Sequence, residues 1–140
     1  MLFEIEPGTG IGPIKFGDTA LSIKNMLGSE LYYEDWMGGN LENFIFYSGI
    51  LIGFSGDSTD CPTDSSTVCT IIIRSKLDLS FQGKCISNFS KEQVSTLLKD
   101  IGLSFYPISD SVLQCTESRI NFYFDKSGLL EQVSLEQKNS

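Results

Sequence analysis

Two stretches of this chain, about 74 positions apart, carry the same punctuation, and that repetition constrains the fold more than any other feature. The first reads Phe16-Gly17-Asp18-Thr19, then Ala20, Ile23, Leu27 and Gly28. The second reads Phe89-Ser90-Lys91-Glu92, then Val94, Leu97, Ile101 and Gly102. In each, a polar residue suited to cap a helix (Asp18 or Thr19; Ser90) precedes apolar positions three or four apart, and a glycine follows the last. These are the marks of a helix start, a buried stripe and a stop.

A short aromatic run follows each glycine, Leu31-Tyr32-Tyr33 in the first half and Leu103-Ser104-Phe105-Tyr106 in the second, with the residue types of a strand. Two hairpins come next. Phe44-Ile45-Phe46-Tyr47 turns through Ser48-Gly49 into Ile50-Leu51-Ile52, and Ile120-Asn121-Phe122-Tyr123-Phe124 turns through Asp125-Lys126-Ser127-Gly128 into Leu129-Leu130. Residues 2–5 form an N-terminal strand, 68–74 add one to the first half, and 132–135 extend the last. Amphipathic helices can share a stripe by chance; the hairpin that follows each one favours repetition. The expectation is an α+β fold in which two tandem helix-plus-antiparallel-sheet repeats form one domain over residues 1–140. The half-repeats span about 1–84 and 85–140, with a polar loop, 55–67, inserted in the first. A length of 140 residues with 41% hydrophobic and 20% charged residues suits such a domain.

The chain has no histidine, which removes every His-based triad, general base and metal cluster. Neither a Gly-x-Ser-x-Gly elbow nor a supported Ser-x-x-Lys motif is present. The expectation is a protein that is not an enzyme and needs no cofactor or metal. Gly8-Thr9-Gly10-Ile11-Gly12 matches neither a Walker A loop nor Gly-x-Gly-x-x-Gly, and reads as a tight turn from the first strand into the helix, with Lys15 a weak anion contact beside it. Cys61, Cys69, Cys85 and Cys115 include no Cys-x-x-Cys pair; they read as free thiols, mostly buried, with a Cys61–Cys69 bridge left open. The early acids of Met1-Leu2-Phe3-Glu4-Ile5-Glu6 are unlike a signal peptide, and no apolar run reaches the roughly 20 residues needed to span a bilayer, so a cytoplasmic location without membrane contact is expected.

Charge is unevenly distributed. Residues 25–73 hold seven acids (Glu30, Glu34, Asp35, Glu42, Asp57, Asp60, Asp64) and no lysine or arginine, so this block supplies most of the net charge of −8. The spacing Asp57-x-x-Asp60-x-x-x-Asp64 does not match an EF-hand; a solvated loop and a partner contact both remain open. An acidic block steers basic partners and repels polyanions, which, with a pI near 4.4, argues against nucleic-acid binding. Tyr32, Tyr33 and Trp36 lie in the same block, either as core aromatics or as interface anchors. The expected partner-binding residues are Tyr32, Glu34, Asp35, Trp36, Glu42, Asp57, Asp60 and Asp64.

The opening Gly10-Ile11-Gly12-Pro13-Ile14-Lys15-Phe16-Gly17-Asp18, followed by a short helix ending in Leu27-Gly28, resembles that of small bacterial immunity proteins encoded beside polymorphic or contact-dependent growth inhibition toxins. The matching motif covers the first fifth of the chain. A related pattern marks the small lipoproteins of outer-membrane assembly and the β-lactamase inhibitor protein fold, in which two helix-plus-sheet repeats present a concave face to an enzyme. The chain departs from the lipoproteins in lacking a lipobox cysteine. The resemblance implies a cytoplasmic antitoxin, monomeric when free or 1:1 with a cognate basic toxin domain, most plausibly a nuclease. The alternative expectation is a small ligand-binding or assembly-accessory domain using the cavity between sheet and helices.

Overall fold

The computed structural model describes residues 2–27, 44–47, 49–55 and 65–137, with backbone alone at 44–47. Its described elements form a mixed α+β fold with two sheets and two helices. The chain opens with β1 (Leu2–Glu6), β2 (Gly10–Ile11) and β3 (Ile14–Lys15), then α1 (Ala20–Leu27), then β4 (Phe44–Tyr47), β5 (Ile50–Ser55) and β6 (Thr67–Arg74). It continues through β7 (Asp78–Phe81), β8 (Lys84–Cys85), α2 (Lys91–Asp100), β9 (Tyr106–Ser109), β10 (Val112–Cys115), β11 (Ile120–Phe124) and β12 (Leu130–Glu136).

The smaller sheet has the order β3-β2-β1-β7-β8, and its centre is a parallel pairing of β1 with β7 that sets Phe3 opposite Leu79 and Ile5 opposite Phe81. The larger sheet, β4-β5-β6-β12-β11-β10-β9, is antiparallel throughout. Its inner face presents Ile50, Ile52, Ile71, Ile73, Val133, Leu135, Ile120, Phe122 and Leu113, all buried. Alternation along each strand puts these side chains on one side. Against them pack Ala20 and Ile23 of α1, Val94, Leu97 and Leu98 of α2, and the smaller sheet, in a single apolar core. Phe81 stacks on Phe122 with ring centroids 6.5 Å apart and so joins the two sheets.

Both helices begin where their capping residues dictate. Thr19 Oγ1 accepts the Ser22 N–H at 3.2 Å, whereas Asp18 turns back to accept the Lys15 N–H at 3.0 Å, so threonine is the cap. Ser90 forms a full capping box: its Oγ accepts the Gln93 N–H at 3.2 Å, and Gln93 Oε1 accepts the Ser90 N–H at 2.8 Å. The residues at these caps also bridge to the sheet in the same way in both halves, Thr19 to Thr67 at the start of β6 and Ser90 to Leu129 just before β12. Replacing Ser90 with alanine leaves the Gln93 backbone N–H without its partner, and thermal melts are expected to show a loss of about 1 kcal/mol.

Helix α2 ends in a Schellman motif. Gly102, at φ +79°, donates to the Lys99 carbonyl at 3.1 Å, and Leu103 donates to Leu98 at 2.9 Å. The strand expected from Leu103 therefore starts later, as β9 at Tyr106, because the Leu103 N–H is spent closing the helix. The strand expected at Leu31-Tyr32-Tyr33 lies outside the described residues. At the N-terminus, the glycine-rich stretch is more than a turn. Gly10 pairs with Glu6 and with Lys15, and a Cβ on it would lie 2.1 Å from the Ile14 carbonyl oxygen; one on Gly12, at φ +60°, would lie 2.8 Å from that of Leu2. Glycine is needed here for backbone contact, not for phosphate.

Candidate functional site

The eight residues expected to meet a partner, Tyr32, Glu34, Asp35, Trp36, Glu42, Asp57, Asp60 and Asp64, all lie outside the described residues, as do Glu30, Tyr33 and Cys61. Their anchors are described. Phe44 opens β4 opposite Gly53, and Ser55 closes β5 opposite Thr67, the first residue of β6. The acid-bearing segments 28–43 and 56–64 thus join the larger sheet at one end of the same three strands.

That end is held firmly to the start of α1. Ala20 donates to the Ser66 carbonyl at 2.8 Å, Gly17 to Val68 at 3.1 Å, and Val68 to Asp18 at 2.9 Å. The far end of β6 carries Arg74, whose guanidinium lies 3.8 Å from Glu131.

A second feature lies on the outer face of the larger sheet. Backbone register aligns Leu51, Ile72, Ser134, Asn121, Gln114 and Tyr106 in one row across six strands. The row passes from apolar to polar and ends on Tyr106, which is 60% exposed. Beside its polar part, Gln114, Thr116, Arg119, Asn121 and Glu136 line an open cleft of about 270 Å³. The Arg119 guanidinium stands 3.9 Å from the Glu136 carboxylate, too far for a hydrogen bond, with the two side chains 40% and 53% exposed. Such a solvated pair is worth about 1 kcal/mol at most.

Two details mark this cleft as unusual. Asn121 Oδ1 is buried without a hydrogen-bond partner. Arg119 has φ +54°, in the left-handed region, where a long side chain costs roughly 1–2 kcal/mol relative to glycine. The turn between β10 and β11 demands that conformation, yet turn chemistry alone favours glycine or asparagine there. Gln82, at φ +53°, meets the same kind of demand in the β7–β8 turn.

Of the described cysteines, all free, Cys115 is buried, Cys69 half-buried and Cys85 exposed. Burial pushes the Cys115 thiol up to about 11, so it stays protonated and weakly nucleophilic at neutral pH. Lys15, expected beside an anion, already contacts the Glu6 carboxylate at 2.7 Å. Asp125 is held below the usual carboxylate range chiefly by the Leu129 N–H, with Ser127 adding a second backbone bond, which staples the β11–β12 turn. Among the described residues, no three His, Cys, Asp or Glu side chains gather to hold a metal ion, and no helix is long and apolar enough to cross a membrane.

The residues of the polar cleft escaped the sequence reading. Gln114, Asn121 and Glu136 lie on three strands that only register brings together, and each by itself reads as the solvated side of an amphipathic strand. Compared with known protein families, curated proteins and solved structures, the chain matches none.

Proposed function

We propose that this protein is a noncatalytic immunity protein that neutralises a basic toxin domain, most plausibly a nuclease, in the cytoplasm of the cell that makes it. The acidic segments of the first half cover the positive substrate site and stand in for the phosphates it would otherwise bind. The observation that carries this reading is the common anchoring of the two acid-bearing segments: the first enters the larger sheet at Phe44, opposite Gly53, and the second leaves it at Ser55, opposite Thr67, at one end of β4, β5 and β6. Glu34, Asp35, Glu42, Asp57, Asp60 and Asp64 provide the attraction, and Tyr32 and Trp36 provide the apolar anchors.

The same proposal includes a duplicated architecture. In each half a helix follows a short sheet segment and its cap bridges to the last of the antiparallel strands that follow it or to the residue just before that strand; these are three strands ending in β6 in the first half and four ending in β12 in the second, and β6 and β12 pair in the larger sheet. The acidic segments mark the first copy as the partner-facing one. The test is co-expression with the product of the adjacent gene. The expected result is a 1:1 complex that survives purification, and a toxin whose nuclease activity returns when this chain is removed. Failure both to bind and to protect would end the reading.

A further inference from the structure

We propose that the polar cleft on the outer face of the larger sheet binds a small dipolar group: a carboxylate with an N–H donor on the adjacent carbon. This is the chemistry of a free α-amino acid and also of a peptide's C-terminal residue. The site lies on the second half of the chain, on strands β10, β11 and β12, and its proposed role does not depend on the partner-binding reading.

The cleft offers one cation and one anion that do not satisfy each other. At 3.9 Å the Arg119 guanidinium and the Glu136 carboxylate make no hydrogen bond, so both keep their capacity for a ligand. A guanidinium takes a carboxylate through two parallel N–H donors. Glu136 accepts from an ammonium or amide N–H, and the Gln114 amide offers a donor and an acceptor beside it, with the Asn121 side chain also lining the cleft.

Alternative ligands fit less well. A polyanion meets the Glu136 carboxylate, and a simple cation meets Arg119. An apolar ligand would cover the amides without satisfying them, which is unfavourable. The conformation of Arg119 adds an independent reason. At φ +54° glycine would relieve the turn, yet the position holds the cleft's only cation.

The test follows the side-chain amide NH2 resonances of Asn121 and Gln114 in the full chain by nuclear magnetic resonance. The titrants are leucine, leucine amide, N-acetyl-leucine, and a tripeptide with a free or an amidated C-terminus. Carboxylate-bearing compounds are expected to shift both resonances saturably, with an affinity of about 1 mM, a value typical of so small a ligand, and the amidated forms to leave them in place. Preference for leucine over N-acetyl-leucine assigns the site to free amino acids; equal binding of N-acetyl-leucine and the free tripeptide assigns it to peptide termini. Arg119→Gly should weaken binding by at least about tenfold while the melting temperature stays the same or rises, since the strain is relieved. The proposal falls if no carboxylate compound moves these resonances, if the amidated forms move them equally, or if Arg119→Gly binds as well as the parent.

Discussion

Replacing Phe122 with alanine is expected to lower stability by about 4 kcal/mol, which shifts the urea midpoint by about 2 M. Phe122 is fully buried on β11 in the middle of the larger sheet and stacks on Phe81 of the smaller one. Truncation removes apolar surface from water-free packing and leaves a cavity between two sheets, neither of which can collapse onto the other without breaking its own register. Against a total of roughly 5–15 kcal/mol for a domain, that loss approaches global unfolding. Should the variant be unfolded outright, Ile73→Val offers the milder measurement; Ile73 is buried in β6 opposite Val133, and about 1 kcal/mol is expected. Tyr123 supplies the contrast. It is the next residue on the same strand but points to the outer face and is only half-buried, so Tyr123→Ala should cost about 1 kcal/mol or less. Equal losses at Phe122 and Tyr123 would mean that the inner face of the larger sheet is not the main core.

The sequence made local structure legible wherever one residue type settles a local contest. Ser90, with Gln93 three positions on, announces α2, and both halves of the capping box form. Runs of β-branched and aromatic residues announce β5, β6 and β11, since such side chains suit a half-buried pleated surface. Two of the longer strands, β7 and β10, carried no such signal. Asp78-Leu79-Ser80-Phe81 is short and becomes a strand because β1, 76 positions earlier, pairs with it in parallel; no turn residue encodes that meeting. Val112-Leu113-Gln114-Cys115 lacks the β-branched density of its neighbours and is fixed by pairing with β11. β9 was legible in kind but displaced, because helix closure claimed the first residue of the run.

The candidate sites divide in the same way. The acidic block is a property of composition and is visible without any fold, but the end of the larger sheet at which its segments attach depends on the β4–β5 and β5–β6 registers. The polar cleft depends wholly on register and on a left-handed arginine. Thr116-Glu117-Ser118-Arg119 contains no glycine or asparagine to advertise a positive φ.

Reversing Asp57, Asp60 and Asp64 together to lysine should slow association with the cognate basic domain by about 10–100-fold at low salt and flatten the salt dependence of the rate. Each reversal adds two charges, so the three carry the chain from −8 to about −2. At about 0.01 M salt the screening length is roughly 30 Å, and a field from the acidic end of the sheet reaches an approaching partner; at 0.15 M it shrinks to about 8 Å and parent and variant should converge. Dissociation should change less, because long-range charges act mainly on encounter and short-range contacts, assigned in the proposal to aromatic anchors such as Trp36, set the off-rate. A matched control separates local field from total charge. Asp78, Asp100 and Asp110 are exposed and lie beyond residue 73, and their reversal changes net charge by the same amount. If only the field at the anchored end of β4, β5 and β6 steers the partner, this control triple slows association by no more than about threefold. Equal slowing by the two triples would show that net charge alone attracts the partner and that the first half is not its docking face. An unchanged rate at low salt for the Asp57, Asp60 and Asp64 triple would remove the acidic loop from the interface.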